Sequence, residues 1–399
     1  MKVARMRIDL PSNWQWSKCS DVMDVRDGTH DTPKYTQFGY PLITSKNLKP
    51  DGIDFSDVSY ISEEDHRDIS KRSKVDRNDI LFAMIGTIGN PVIVETDEEF
   101  SVKNVALFKL AKSYIDPVFF KYLLGTPIIQ RQLINETRGG TQKFVSLTVL
   151  RNMLIPYPLP EEQKRIAAIL DKADRVRRKR QEAIRLTEEL GRSIFLNMFG
   201  EQHNYPKSLV GSICTVKGGK RLPIGHQLVS NDTGYPYIRA GNLKKGTTTG
   251  ELLYLKQETH QAIKRYTISS DDVYITIVGA YIGDVGIIPI ELDGANLTEN
   301  AAKLVIKDNR VTNYFISYFL RSDIGQRQIK SKIKTTGQPK FALFRIEEIE
   351  IPIPPLEMQE KFQLIIENID KNNYSMSVHY QESENLFNSL LQRAFRGEL

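Results

Sequence analysis

The sequence predicts an α+β protein of mixed content. Two similar globular α/β domains are expected, separated by two long helices that pair as an antiparallel coiled coil, with a pseudo-twofold internal repeat. Three observations carry this reading. The chain is written twice, each copy is a strand-rich block closed by prolines at alternate positions, and each block is followed by a long stretch of helical apolar period.

The repeat is ordered. Gly39-Tyr40-Pro41 recurs as Gly234-Tyr235-Pro236, and Asn47-Leu48-Lys49 recurs as Asn242-Leu243-Lys244, both at a spacing of 195 (39 to 234, 47 to 242). Asp79-Ile80-Leu81 answers Asp272-Val273-Tyr274, and Gly140–Phe144 answers Gly337–Phe341. Ile155-Pro156-Tyr157-Pro158 answers Ile351-Pro352-Ile353-Pro354, and Glu161 and Gln163 sit where Glu357 and Gln359 sit. Between Gly28 and Gly39 the first copy is four residues shorter than the second is between Gly219 and Gly234. That segment also differs in composition, so one framework is expected to present two different loop surfaces.

Within the blocks, Pro41–Thr44, Pro236–Arg239, Asp79–Met84 and Asp272–Ile277 read as strands. Pro117–Gln132 and Val311–Ile329 read as amphipathic helices. Gly86-Thr87-Ile88-Gly89 reads as a tight turn. Ile155–Pro160 and Ile351–Pro355 form extended exits, because proline at alternate positions blocks a helix. The expected boundaries are residues 1–158 and 200–354 for the domains, with 159–199 and 355–399 for the helices.

Glu161–Phe199 contains no proline and, among glycines, only Gly191. Its expected seam is Ile166, Ile169, Ala173, Val176, Ala183, Leu190 and Ile194. The second seam is Phe362, Ile365, Ile369, Met376, Tyr380, Phe387, Leu390 and Ala394. Each helix would be about 57 Å long at 1.5 Å per residue. A lone helix of that length would expose its seam, whereas two can bury theirs on each other. The middle of the first is basic (Lys172, Arg175, Arg177, Arg178, Lys179, Arg180), and the second carries Glu367, Asp370, Glu382 and Glu384. The basic run reads either as a solvated helix face or as phosphate contacts.

The net charge of +6 permits a polyanionic partner without demanding one. Cys19 and Cys214 are too few for a disulfide framework or a zinc site and read as buried, reduced thiols. Met1–Leu10 lacks the apolar core of a secretory signal, and Val273–Ile290, the most apolar stretch, contains Asp284 and three glycines. A cytoplasmic protein without a membrane span is expected. No phosphate-cradling Gly-x-x-x-x-Gly-Lys-Ser/Thr, no dinucleotide loop and no Gly-x-Ser-x-Gly nucleophile motif occurs. The six histidines show no ligand spacing, so no metal site is expected. His30, between Asp27 and Asp31, reads as a loop residue or an acid–base pair. No catalytic residue is assigned, and a partner would have to supply any catalyst.

Arg or Lys suits guanine, and Asn or Gln suits adenine, when base edges are read. Three loops hold such residues at equivalent places in both copies. The divergent loop carries Lys34, Tyr35 and Gln37 against Lys217, Lys220 and Arg221. The segment after the repeated Gly-Tyr-Pro carries Ser45, Lys46 and Asn47 against Arg239 and Asn242. A glycine-rich loop carries Arg138, Thr141, Gln142 and Lys143 against Lys330, Lys332, Lys334, Gln338 and Lys340. Each reads as a DNA-contacting set or as an ordinary polar surface loop.

Asp27–Pro33, Gly39–Leu48, the proline-rich exit with Glu161-Glu162-Gln163-Lys164-Arg165-Ile166, its second copy Ile351–Phe362, and the closing Ala394–Leu399 together resemble the specificity (S) subunit of type I restriction–modification systems. The resemblance covers nearly the whole chain. It implies two target-recognition domains that each read half of a split, asymmetric duplex DNA sequence, held apart by the paired helices, which set the spacer. It implies docking of two methyltransferase (modification) subunits that bind S-adenosylmethionine and methylate adenine N6, the adenine leaving the base stack for a pocket in that partner. Restriction/translocase subunits using ATP and Mg²⁺ would complete the assembly, and this chain would hold no cofactor. Two other readings of the residues stay open: a stand-alone DNA-binding regulator, and a non-catalytic coiled-coil scaffold with no DNA role.

Overall fold

The computed structural model describes residues 11–136, 144–200, 204–244, 247–248, 250–334 and 339–399. The chain divides into two compact units, Met1–Gln181 with Val378–Leu399, and Glu182–Ser377. The principal elements of the first half are β1 (Gln15–Lys18), β2 (Asp24–Asp27), β3 (Tyr35–Thr36), β4 (Tyr40–Ile43), β5 (Ser59–Ile61), α1 (Glu63–Ser73), β6 (Ile80–Ala83), β7 (Gly89–Ile93), β8 (Ser101–Val102), β9 (Val105–Lys109), α2 (Pro117–Leu124), α3 (Pro127–Glu136), β10 (Leu154–Tyr157) and α4 (Pro160–Phe199). Those of the second half are β11 (Lys207–Leu209), β12 (Cys214–Gly218), β13 (Pro236–Ile238), β14 (Leu253–Tyr254), α5 (Gln257–Ile263), β15 (Val273–Thr276), β16 (Val285–Ile287), β17 (Asn296–Leu297), β18 (Ala301–Ile306), α6 (Asn313–Arg321), α7 (Asp323–Lys332), β19 (Glu350–Pro352) and α8 (Leu356–Ala394).

The internal repeat is a repeat of topology. In the first unit an antiparallel sheet has the order β2-β9-β6-β7, and in the second the order is β12-β18-β15-β16. Beside each lies a smaller sheet. There β8 runs parallel to β4 in one unit, and β17 runs parallel to β13 in the other. The proline-rich exits are strands as predicted. β10 pairs with β1 and β19 with β11, both antiparallel. The apolar stretch from Val273 is the hairpin β15–β16, whose residues are buried on both faces of the sheet.

Two predicted helices are each broken in two. Pro117–Gln132 becomes α2 and α3, because Pro127 has no N–H to continue α2 and is favoured in the first turn of a new helix. Val311–Ile329 becomes α6 and α7. There the hydroxyl of Ser322 accepts the N–H of Gly325, capping α7 and ending α6.

The long helices are present as predicted, with 40 residues in α4 and 39 in α8. Inside the first unit they run antiparallel: Arg165 donates to the carbonyl of Leu399 at 2.5 Å, and Arg177 to Glu384 at 3.0 Å. Ile166, Ala167 and Leu170 of α4 and Phe387 and Ala394 of α8, with Phe395 just beyond, complete a core that includes Trp14, Phe119 and Phe120. Inside the second unit the pairing continues in the same sense. Phe195 and Phe199 pack on Phe362, with ring centroids 5.5 Å apart in both pairs. Gly191 faces Ile366 and the Tyr318 hydroxyl, and a Cβ there would stand 3.1 Å from that oxygen, which accounts for the one glycine in the helix. Val176 and Leu190, predicted in the seam, are half-exposed, and Leu170, Phe195 and Phe199 take the buried places. The aromatic rings of the globular core, rather than heptad regularity, choose the buried face.

The basic run on α4 is divided. Asp174 is buried and holds Arg177 at 2.6 Å and Arg178 at 2.8 Å. Arg177 also reaches Glu384, and Arg180 donates to Ser383. Lys172, Arg175 and Lys179 face solvent, Arg175 paired with Asp171 on its own helix. Two of the six cations, Arg177 and Arg180, therefore bond across to α8, and Arg178 joins Asp174 on its own helix. Glu382 pairs with His379 on its own helix, so of the acidic residues predicted to match that run, Glu384 is the one bonded to α4 among the described residues.

Candidate nucleic-acid interface

The framework beneath the candidate loops is the same in both units. Gly28 leaves β2 with its N–H on the carbonyl of Val105, and Gly219 leaves β12 with its N–H on the carbonyl of Ala301. A Cβ on either would collide with a backbone carbonyl, that of Val102 or of Thr298, so only glycine lets the chain pass. The following residues are hydrogen-bonded in turn, Thr29 to Val102 and Lys220 to Leu297.

The floor under these loops is the segment between the parallel strand and its successor. In the second unit it meets all three candidate loops. Leu297 accepts the N–H of Lys220, Thr298 donates to Ile238, and Asn300 accepts from Ile277 and Val278, whose neighbour in the ladder is Lys340. In the first unit Val102 accepts from Thr29 and Lys103 donates to Ile43. The third loop of that unit is anchored by Val145 on Met84 and by a bridge between Phe144 and Ile85.

The candidate residues divide. Lys34, Tyr35 and Gln37 lie exposed on and around β3. Lys46 is exposed, 3.2 Å from Asp57. Lys217 is exposed on β12, and Lys220 is exposed with its ammonium 5.7 Å from the Tyr266 ring centroid. Lys334 and Lys340 are exposed and bonded to each other through their backbones, while Lys332 is half-buried beside Glu348 at 3.2 Å. Arg138, Thr141, Gln142, Lys143 and Gln338 lie outside the described residues.

Asn47 and Asn242 are corrected from readers to framework. Both are buried. The side-chain oxygen of Asn47 accepts the N–H of Thr44 at 3.0 Å, and its amide donates to the carbonyls of Asp54 and Asp57. That of Asn242 accepts from the N–H of Arg239 at 3.1 Å, and its amide donates to Glu251. Such an amide holds a turn and has nothing to offer a base. Arg239 is drawn into the same turn, bonded to Asn242 through Nε and to the Glu251 carbonyl at 2.7 Å.

Several residues escaped the sequence reading. Tyr40 stacks on His66 with centroids 3.9 Å apart, and Tyr235 stacks on His260 at 4.3 Å. His66 is bonded to Ser101 and His260 to Asn296, so the arrangement repeats. The signal was present, since His66 and His260 stand within one residue of the repeat spacing of 195 (66 to 260). Glu299, in the floor of the second unit, holds Arg221 at 2.7 Å. In the first unit His30 is held at both ring nitrogens, 2.9 Å from Asp27 and 2.9 Å from Asn104. Hydrogen bonds to Asn104 and Asp27 raise the His30 pKa. Burial pushes the Asp27 carboxyl up, but His30 and Arg72 more than offset it, and the carboxyl is held below its usual value.

Among the described residues no group of three or more His, Cys, Asp or Glu side chains is placed to hold a metal ion. Burial pushes both thiols up, Cys214 to about 12, so neither is an activated nucleophile. No helix among the described residues is long and apolar enough to cross a membrane.

The comparisons with known proteins agree with the repeated framework. The MjaX type I restriction enzyme specificity subunit of Methanocaldococcus jannaschii, so named, is 26% identical over 393 residues, covering 91% of this chain and 88% of its own. The EcoBI specificity subunit of Escherichia coli is 28% identical over 203 residues, covering 48% of this chain and 42% of its own. The crystal structure of the type I restriction–modification S subunit from M. genitalium shares the fold with a TM-score of 0.62 at 17% identity, covering 98% of each chain. The family described as "Type I restriction modification DNA specificity domain" matches twice, over residues 11–187 and 204–381. With both halves matched, this chain belongs to the family of type I restriction–modification DNA specificity proteins.

Proposed function

We propose that this chain reads a split, asymmetric duplex DNA sequence, one unit per half-site, as the non-catalytic specificity subunit of a type I restriction–modification complex in the cytoplasm. The observation that carries the reading is the pairing of one framework with two unlike loop sets. Gly28 and Gly219, Asn47 and Asn242, and the two Tyr–His stacks hold equivalent turns, while the exposed side chains above them differ. A common frame with different surfaces suits two different half-sites.

Two modification subunits would dock on the chain and hold S-adenosylmethionine, and restriction subunits would use ATP and Mg²⁺. This chain's residues would bind and orient the duplex, with α4 and α8 setting the spacer. Adenine-N6 methylation mapping of genomic DNA, with and without the gene for this chain, tests the proposal. One bipartite motif should vanish with the gene. Removing one turn from α4 should change the spacer of that motif and leave both half-sites intact. An unchanged methylation map overturns the reading, and altered half-site sequences overturn the spacer role. A scaffold without a DNA role predicts no motif, and a stand-alone regulator predicts binding without methylation.

A further inference from the structure

We infer that Arg221 reads a guanine in the half-site of the second unit, and that Glu299 is the positioning residue that aims it. The inference rests on the proposed function and names the base that one of its loops would recognise.

Arg221 is held along one edge only. Its Nε donates to Glu299 at 2.7 Å, and its side chain is 80% exposed. A guanidinium has five N–H donors in a planar fork, so this bond leaves the four terminal N–H groups uncommitted among the described residues. A free terminal fork matches the O6 and N7 acceptors of guanine in the major groove.

The arm that carries the fork is held at both ends, by the Lys220 backbone at its base and by Glu299 at its tip. Lys220 is pinned by its N–H on Leu297 at 2.8 Å and by the Tyr237 hydroxyl on its carbonyl at 2.9 Å. Glu299 is itself held by the hydroxyl of Thr298 at 3.0 Å. Little side-chain freedom is left to lose on binding, which favours a selective contact. Arg239, the other arginine of the candidate set in this unit, spends its fork on Asn242 and Glu251 and has no equivalent freedom.

The carboxylate decides between base and phosphate. A phosphate contact gains from net positive charge, and a glutamate beside the arginine would cancel that gain and repel the backbone. The Arg221–Glu299 pair is neutral overall, so its value lies in geometry. The corresponding place in the first unit holds His30, with both ring nitrogens already bonded, so the two units offer different chemistry above the same floor.

The test is methylation mapping in cells carrying the unaltered chain, Arg221→Ala, Glu299→Ala or Glu299→Gln. The unaltered chain should give a motif with a guanine in one half-site. Arg221→Ala should relax the motif at that one position, the preference for guanine falling on the order of tenfold to a hundredfold. Glu299→Ala should relax the same position, and Glu299→Gln, whose amide oxygen still accepts from Nε, should largely restore it. Arg221 is 80% exposed and Glu299 30% exposed, so the fold should survive, and intact reading of the remaining positions of the same half-site confirms that it has. An unchanged motif with methylation weakened evenly at all sites overturns the inference, because that is how a lost phosphate contact reads out. Relaxation at a position other than guanine also overturns it. Absence of any motif with the unaltered chain overturns the proposed function itself.

Discussion

The side-chain oxygen of Gln163 accepts the backbone N–H of Asp116 at 2.8 Å, while its amide donates to the carbonyl of Pro158 at 2.9 Å. Gln163 sits in the first turns of α4, Asp116 caps α2, and Pro158 ends the extended exit, so one buried side chain ties three segments of the first unit together. Gln359 does the same in the second unit, joining Thr312, Arg310 and Pro354. Replacing Gln163 by Leu would strand a buried N–H and a buried carbonyl. The expected loss is about 2–6 kcal/mol, at roughly 1–3 kcal/mol for each of the two unsatisfied groups. In urea denaturation followed by hydrogen exchange, the first unit should open earlier and the second should not shift. A uniform shift of both units would show that the glutamine acts otherwise.

Asn47→Ala and Asn242→Ala should each loosen a turn without altering what is read. The expected cost is about 1–3 kcal/mol for the carbonyls and N–H left without the amide. Limited proteolysis should find new cleavage between residues 44 and 57 in the first variant and between 239 and 251 in the second. The methylation motif, where methylation persists, should keep every base. A change of a single base would return these asparagines to the reading surface.

Lys109 donates to Asp79 at 2.6 Å across the first unit, and Lys303 donates to Asp272 at 2.8 Å across the second. Asp79 is fully buried, and desolvation raises its pKa even though Lys109 pulls it down. Lys109→Met would leave that carboxylate unpaired, at a cost of about 3–5 kcal/mol at neutral pH. Its folded-state pKa would rise further above the unfolded value. The deficit should therefore be small below pH 3.8 and grow as pH rises through the new folded value. Denaturation of the variant and the parent across pH 4 to 8 checks this, and a deficit independent of pH would contradict it.

His30 ties the start of the divergent loop to Asp27 and Asn104, and its pKa is raised above 6.5. The charged form binds these partners better, so its contribution to loop order is full below pH 6.5 and fades as pH rises through the raised value. Arg72, paired with Asp27, also acts on the ring, and its charge opposes the rise. Asn104→Ala should move the His30 titration, followed by NMR, back toward 6.5. Hydrogen exchange of residues 29–39 should speed up with rising pH over the same window. A titration unmoved by the substitution would remove Asn104 from the account.

Much was legible because it follows from short-range rules. The spacing of repeated tripeptides, the proline-closed exits and the apolar period of α4 and α8 each reflect backbone stereochemistry or alternation of burial. The breaks at Pro127 and Ser322 follow from equally local chemistry that the reading passed over, since the apolar period runs on through both. The seam of α4 was legible only in part. Leu190 has the right period, yet Phe195 and Phe199 take the buried face because Phe315, Tyr318 and Phe362 surround them.

By itself the sequence determined the duplication, the order of strands and long helices, and the absence of the nucleotide and nucleophile motifs sought, because these are written in neighbouring residues. Tertiary structure alone decided which polar side chains are spent inside the frame and which remain to meet a partner. Asn47 and Lys34 look alike as polar residues in a loop, but which of them finds a hydrogen-bond partner depends on how the rest of the chain folds around it. Asn47 finds Asp54 and Asp57 within the same turn, and Arg221 finds Glu299, 78 positions further along the chain. Only the folded backbone brings such groups within about 3 Å, and that proximity separates a residue that holds a turn from one left exposed above the frame.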